Sequence, residues 1–189
     1  MLIFSLSSLQ STHDFIEIRE VTNRNSKANL RIGIDTSNIQ TEEEGTTPLP
    51  YLCGQVYVKK RLSLEGCGNG SGFLHQRNVP DTSHFRARYS LYDQNMSNIQ
   101  WNIDMGLGFV EYQIGEDQMG FSFGEAVLGQ VETSGPEAIF SLSGKWWFWE
   151  NSSINTDLSV GSAYVVGAPV VLQSTPFQYF GSFTVGIGF

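Results

Sequence analysis

Charged residues are scarce in this chain of 189 residues: Asp, Glu, Lys and Arg together make up only 16% of it. Basic residues are the scarcest, with 11 Lys and Arg against 19 Asp and Glu, which leaves a formal net charge of −8. Proteins that bind nucleic acids through phosphates need clustered cations, so this balance argues against a nucleic-acid partner. The sequence also lacks an uninterrupted apolar run of about 18 residues, which excludes a membrane-spanning helix.

The scarcity of charge is most marked towards the C-terminus. The last charged residue is Asp157, so residues 158–189 contain none. The exposed surface of a soluble domain needs charged and polar groups to stay in solution. We therefore expect this segment to be covered by protein or by lipid.

Cysteine is rare as well, and the two that occur allow one disulfide or none. Cys53 and Cys67 are equidistant from Lys60, so a hairpin turning at residues 59–61 places them opposite each other in a possible disulfide. In one straight strand they would lie more than roughly 40 Å apart and could not bond. Such a disulfide is expected to shorten two strands and to favour a soluble sandwich.

Motifs for catalysis and metal binding are missing. The three histidines and two cysteines show no zinc spacing, and the Ser83-His84 neighbours point to opposite faces of a strand. The glycine-rich stretch at residues 66–72 has no phosphate-loop spacing. We expect no enzymatic activity, no cofactor and no metal site.

What the sequence does contain is alternation with period 2, the pattern of strands with two different faces. Apolar residues occupy every second position in eight runs, bounded by segments rich in Gly, Asn, Ser and Pro: Leu30–Ile34, Leu52–Val58, Phe85–Leu91, Trp101–Phe109, Met119–Phe123, Ala138–Phe148, Leu158–Tyr164 and Phe177–Phe189. Repeated strands and turns predict an all-β protein. We expect a single antiparallel up-and-down β-barrel of about eight strands over residues 29–189, after an N-terminal segment of residues 1–28. A β-sandwich or jelly roll is the alternative.

The second face of these runs carries small polar residues and a few isolated charges. A barrel in lipid turns its apolar side chains outward and its polar ones inward. The charged residues then form an ion network in the lumen, with bases on some strands facing acids on others: Arg31, Asp35, Arg86, Arg88, Asp104, Lys145 and Asp157. A barrel this narrow is not expected to pass solutes.

Tryptophans near the ends of the runs suggest an aromatic belt at a membrane interface. The predicted belt residues are Trp101, Trp146 and Trp149. A protein interface or a soluble core is the alternative explanation for them.

The last nine residues, Gly181–Phe189, carry a resemblance. They resemble the final strand of bacterial outer-membrane β-barrels, in which a C-terminal aromatic preceded by alternating apolar residues is recognised by the barrel-assembly machinery. The matching positions are Phe183, Val185, Ile187 and Phe189. The resemblance implies a bacterial outer-membrane location, with outer-membrane lipid and the assembly machinery as partners.

Two features depart from that family. The apolar run at Met1–Leu9 lacks the basic start and the cleavage site of a signal peptide, which leaves open whether one was removed. Counting eight strands back from Phe189 also places the long Gly66–Ser83 segment on the periplasmic side, where short turns are usual.

Together these observations predict a non-enzymatic outer-membrane barrel with a plugged polar lumen. Its role would be structural or adhesive, or that of a subunit in an envelope assembly, with protein partners bound through its loops. The alternative from another class is a soluble sandwich or jelly-roll subunit of a large assembly, such as a virion or extracellular particle. An enzyme or a ligand carrier explains fewer of the features.

Overall fold

The computed structural model describes residues 26–36, 50–69, 81–114 and 121–189, and residues 1–25 of the predicted N-terminal segment lie outside it. Eight strands and one short helix make up the described chain: β1 (Ala28–Asp35), β2 (Tyr51–Lys59), β3 (Leu62–Gly68), β4 (Asp81–Met96), β5 (Ile99–Gln113), β6 (Glu132–Trp149), β7 (Ser152–Tyr164), α1 (Ala168–Val171) and β8 (Phe177–Gly188). Within these residues, no helix is both long and apolar enough to cross a bilayer.

The eight strands form one closed barrel in sequence order, each antiparallel to its neighbours. Strand β1 pairs with β8, from Asn29 opposite Gly188 to Asp35 opposite Ser182, so no strand is left with an unpaired edge. This confirms the predicted up-and-down barrel. The sandwich and jelly-roll alternative is wrong, because those folds keep two separate sheets whereas this sheet closes on itself.

The two ends of the barrel differ in the length of their connections. At one end, the turn end, β2–β3, β4–β5 and β6–β7 are joined by two residues each, at positions 60–61, 97–98 and 150–151. Ser97 has a positive φ of 58°, as tight hairpin turns require. The start of β1 and the end of β8 lie at this end too, whereas all the longer connections lie at the opposite, loop end.

Two expectations about strand assignment are corrected. The Met119–Phe123 run does not form a barrel strand: Met119 lies outside the described residues, and Phe123 makes one isolated bridge to Ser134. Strand β3, which the list of runs omitted, takes its place in the count. Because the Met119–Phe123 run is not a strand, five strands and not six follow the Gly66–Ser83 segment, so the connection between β3 and β4 lies at the loop end. The prediction that it lies beside the short turns is wrong.

Burial alternates along β1, β7 and β8 and along the central part of the other strands, as period-2 geometry demands. Among the described residues, twelve hydrophobic side chains are buried but thirty-seven large hydrophobic side chains are exposed. The buried set includes many polar and charged residues instead, among them Arg88, His84 and Asn29. The protein is therefore inverted relative to a soluble domain, with polar groups inside and apolar groups outside.

Candidate functional site

The exterior of the barrel is a continuous apolar surface. On β5, the side chains of Trp101, Ile103 and Leu107 point outward and are 41%, 44% and 57% exposed. Met105 and Phe109 lie on the same outward face and are half-buried by their neighbours. A soluble monomer does not expose an apolar surface that runs around its whole girth. We call this outer surface the apolar belt.

Aromatic residues mark both edges of the apolar belt. Near the turn end, the predicted belt residues Trp101, Trp146 and Trp149 are all exposed. Near the loop end, Phe85 stacks on Phe109 with ring centroids 5.3 Å apart, and Tyr164 packs on Phe177 at 4.9 Å. Eight residues along β5 separate Trp101 from Phe109, which is about 27 Å along the strand and about 20 Å once tilted by about 40°. This height is close to the apolar band of about 25 Å in membrane barrels.

A segment at the loop end extends the aromatic edge. Phe121 packs edge-to-face on Phe85 and Phe109, with centroids 5.4 and 4.9 Å away, and Phe123 packs on Phe109 at 5.6 Å. Phe121 and Phe123 remain 46% and 60% exposed. The segment after β5 therefore folds against the outside of the barrel and adds apolar surface to it.

The lumen holds an ion network centred on Glu65. Its carboxylate pairs with Arg31, with Arg88 Nη1 at 2.6 Å and with Arg86 Nη1 at 3.3 Å. All four side chains are almost completely buried. Strand β1 supplies Arg31, β4 supplies Arg86 and Arg88, and β3 supplies Glu65, so the network ties three strands of the barrel together.

A second group of acids, on β5 and β7, pairs with two of these arginines. Arg88 Nη2 pairs with Asp157 at 2.7 Å and with Asp104 at 3.2 Å, and Arg31 Nη1 pairs with Asp157 at 3.1 Å. Ser143 and Ser159 donate hydrogen bonds to Asp104 and Asp157, at 3.3 and 2.5 Å. Charge pairs supported by extra hydrogen bonds offset the cost of burying ions.

A histidine between two acids lies on the loop-end side of the Glu65 ion network. His84 Nδ1 is 2.7 Å from Glu137 Oε2, and His84 Nε2 is 3.4 Å from Asp35 Oδ2. Arg86 Nε donates to Glu137 Oε1 at 2.8 Å, which joins this group to Glu65. Every member is buried.

Six of the seven residues predicted for the lumen network lie in it, and the exception is Lys145. Its ammonium lies 4.2 Å from the ring centroid of Tyr57, and no carboxylate of the described residues lies within salt-bridge distance. Lys145 lies nearer the turn end of β6, two residues beyond Ser143, which pairs with Asp157.

Sequence reasoning missed Glu65, His84 and Glu137. Glu65 lies on the omitted strand β3, opposite Gln55 and Arg86. His84 and Glu137 follow the same inward alternation as Arg86 and Ile139, so the period-2 pattern of β4 and β6 contained the signal for both.

Side chains fill the lumen on both sides of the ion network, apart from a small opening at the turn end. Towards the loop end, apolar side chains fill it, with α1 among the elements that supply them: Val110, Tyr112, Ile139, Ala163, Val165, Ala168 and Phe180. Towards the turn end, Asn29 donates hydrogen bonds to Gln55 at 3.1 Å and Tyr57 at 2.9 Å, and Asn155 donates to Asn29 at 2.9 Å. The interior is thus a packed core.

The two cysteines meet in the lumen wall. Cys53 lies opposite Cys67 in the β2–β3 hairpin, and their sulfur atoms are 2.11 Å apart in a disulfide. Both side chains face inward and are buried. The expectation that this bond favours a soluble sandwich is wrong, because it joins two neighbouring strands of the closed barrel and leaves their outer face apolar.

The C-terminal strand carries the residues proposed as an assembly signal. Phe183, Val185, Ile187 and Phe189 all point outward and are exposed. The backbone of Phe189 closes the seam, since its N–H donates to the Ala28 carbonyl at 2.9 Å and its carbonyl accepts from Lys27 and Ala28. The side chains are therefore available to a partner while the main chain holds the barrel shut.

Across the parts of the chain that the structure describes, no three His, Cys, Asp or Glu side chains are grouped so that they could hold a metal ion.

No protein-family model matches the sequence, and the comparison with curated proteins gives no match. Among solved structures, the chain is similar to Ail, the attachment invasion locus protein of Yersinia pestis, with 11% identity and a TM-score of 0.33 over 85% of this chain and 95% of that one. A likeness at this level carries no argument about function.

Proposed function

We propose that this protein is a bacterial outer-membrane β-barrel that conducts no solutes and acts through its loop end. The observation that carries the proposal is the inversion of the molecule: a girdle of exposed apolar side chains surrounds a lumen of buried ions. In water that arrangement exposes hydrocarbon and buries charge at the same time, and both are unfavourable. In lipid the apolar belt is solvated by acyl chains, and the closed sheet pairs the backbone of each strand with a neighbour on both sides.

The packed lumen supports a role without transport. The Glu65 network, the apolar side chains on its loop side and the amide hydrogen bonds on its turn side fill the interior in succession. An eight-stranded barrel has room for side chains and little else. Its function then belongs to its surfaces.

The connections support an orientation. Outer-membrane barrels have short periplasmic turns and longer extracellular loops. Here the short turns, the start of β1 and the end of β8 share the turn end of the barrel, which we assign to the periplasm. The long connections then face outward from the cell, where an adhesive role or contact with envelope partners is available to them. Recognition of Phe189 by the barrel-assembly machinery is part of the same proposal.

A charge placed in the middle of the apolar belt tests the membrane location. Leu158 lies halfway along β7, is 53% exposed and pairs with Leu142 and Phe183 on the neighbouring strands. In lipid vesicles, Leu158→Arg is expected to lower the free energy of unfolding by about 2–4 kcal/mol, the cost of an arginine facing the bilayer core. Urea titration of the vesicle-embedded barrel measures this change in the free energy of unfolding.

The matched control is Leu128→Arg, which makes the same change at a side chain 98% exposed in the segment outside the barrel wall. We expect its effect to stay within about 0.5 kcal/mol, as for an ordinary surface substitution. If both variants are neutral and the protein is a monodisperse monomer without detergent, the membrane assignment is wrong. The soluble assembly subunit then becomes the better explanation.

A further inference from the structure

A small cavity opens into the lumen at the turn end of the barrel. The space in it that water can occupy has a volume of about 30 Å³, and it lies between the inner faces of β2 to β6. Lys60 and Arg61 of the β2–β3 turn form its rim, and Lys145, Tyr57 and Gln100 line its wall. We call it the mouth cavity.

Lys145 is the unusual residue of the mouth cavity. It is only 8% exposed, yet its ammonium contacts the Tyr57 ring and no carboxylate of the described chain. Each of the buried arginines Arg31, Arg86 and Arg88, by contrast, pairs with at least one acid. The Lys145 ammonium therefore faces the opening with a cation–π contact and no anionic partner among the described residues, which leaves it available to an anion.

The charges around the mouth cavity do not supply the missing anion. Asp104 lines it, but its carboxylate is occupied by Arg88 at 3.2 Å and by Ser143 at 3.3 Å. Asp93 is the other acid in the lining, and it faces three cations, Lys60, Arg61 and Lys145. The mouth cavity therefore keeps an excess of positive charge in a protein whose net charge is −8.

We infer that the mouth cavity binds an oxyanion group, a phosphate or a carboxylate, which pairs with the Lys145 ammonium and is approached past Arg61 and Lys60. Gln100 and Gln55 add amide groups to the lining. The group arrives either as a free ion or as the end of a larger molecule that enters from the turn end. The inference does not depend on the membrane assignment, because the mouth cavity lies inside the barrel wall.

Binding is tested by calorimetry on the full chain, folded in a non-ionic maltoside detergent that contains no phosphate. The probes are inorganic phosphate and a short unstructured peptide with a free C-terminal carboxylate, with the amidated peptide as its control. We expect at least one oxyanion probe to bind the unaltered protein with a dissociation constant in the millimolar range. We expect Lys145→Gln to bind the same probe at least about tenfold more weakly. Binding of phosphate alone identifies a free ion, and tighter binding of the carboxylate peptide identifies a group carried on a chain.

Two further variants separate binding from folding. Lys59→Gln removes the same charge from an exposed lysine outside the lining and is expected to leave the affinity unchanged. Tyr57→Phe keeps the ring under the ammonium and is expected to keep most of the binding. The inference is overturned if neither oxyanion binds, or if Lys145→Gln, folded by circular dichroism, binds as well as the unaltered protein.

Discussion

Removing the charge of Glu65 is the sharpest test of the lumen network. Glu65→Gln keeps the size and shape of the side chain but leaves Arg31, Arg86 and Arg88 without their shared carboxylate. Each arginine retains another acid, Asp157 for Arg31 and Arg88 and Glu137 for Arg86. The positive charge at the centre of the network is then only partly compensated.

The magnitude follows from burial and from the number of partners. Breaking a buried ion pair by removing one partner typically costs about 3–5 kcal/mol, because an uncompensated charge stays in the interior. Since glutamine still accepts hydrogen bonds and the arginines keep other acids, we expect the lower end, about 3 kcal/mol. Added salt is expected to change this difference little, because screening acts mainly on exposed charges.

The assay is urea unfolding of the barrel in lipid vesicles, followed by tryptophan fluorescence. Glu125→Gln is the matched control, since Glu125 is exposed and lies outside the strands. If Glu65→Gln lowers the free energy of unfolding by no more than the control, within about 0.5 kcal/mol, the carboxylate does not organise the lumen.

A double-mutant cycle separates this pair interaction from general damage. Arg31→Gln combined with Glu65→Gln removes one charge of each sign from the same contact. We expect the combined loss of stability to be smaller than the two single losses added, by about 0.5–3 kcal/mol. Strict additivity would contradict the pairing of these two side chains.

Two further predictions concern the strands at the seam and at the β2–β3 hairpin. Gly186→Ala is expected to destabilise the barrel by about 1–3 kcal/mol, because a Cβ there would lie 2.0 Å from a carbonyl oxygen of β1. Its control is Gly54→Ala, which has nothing within 4 Å of the added Cβ and is expected to be neutral in the same urea assay. Equal effects of the two substitutions would contradict the inward packing at Gly186. Phe189→Ser is expected to leave refolding in detergent unchanged, because the hydrogen bonds of Phe189 at the seam are made by its backbone. The same variant is expected to reduce the amount of folded barrel recovered from cell membranes. Normal recovery would count against an assembly signal.

Much of the architecture was contained in local pattern. The alternation from Trp101 to Phe109 predicted a strand with an apolar face and a small polar face. The apolar face does point away from the barrel axis. Period-2 geometry is a property of a single strand, so it can be read without knowing any neighbour. The barrel and its antiparallel connectivity were predicted on the same basis.

The errors occurred where the pattern was weak or too short. Strand β3, seven residues long, has Gly66 and Gly68 at two of its four outward positions, so its alternation was hard to see. Counting the Met119–Phe123 run as a strand, and not the omission of β3, reversed the side assigned to the β3–β4 connection. The Met119–Phe123 run alternated well, but Phe121 and Phe123 pack on the outside of the barrel wall.

The sequence by itself determined that the apolar residues share one face and the charged residues the other, because backbone geometry fixes which way each side chain of a strand points. Only the tertiary structure decided which charges meet. Glu65, Asp157 and Glu137 reach the arginines because the registers of eight strands around the closed barrel bring Glu65 and Asp157 to one level of the lumen and Glu137 to its loop side. The same registers leave Lys145 beyond that level, facing the mouth cavity. Pairing across a barrel depends on every intervening register at once, and no single strand contains that information.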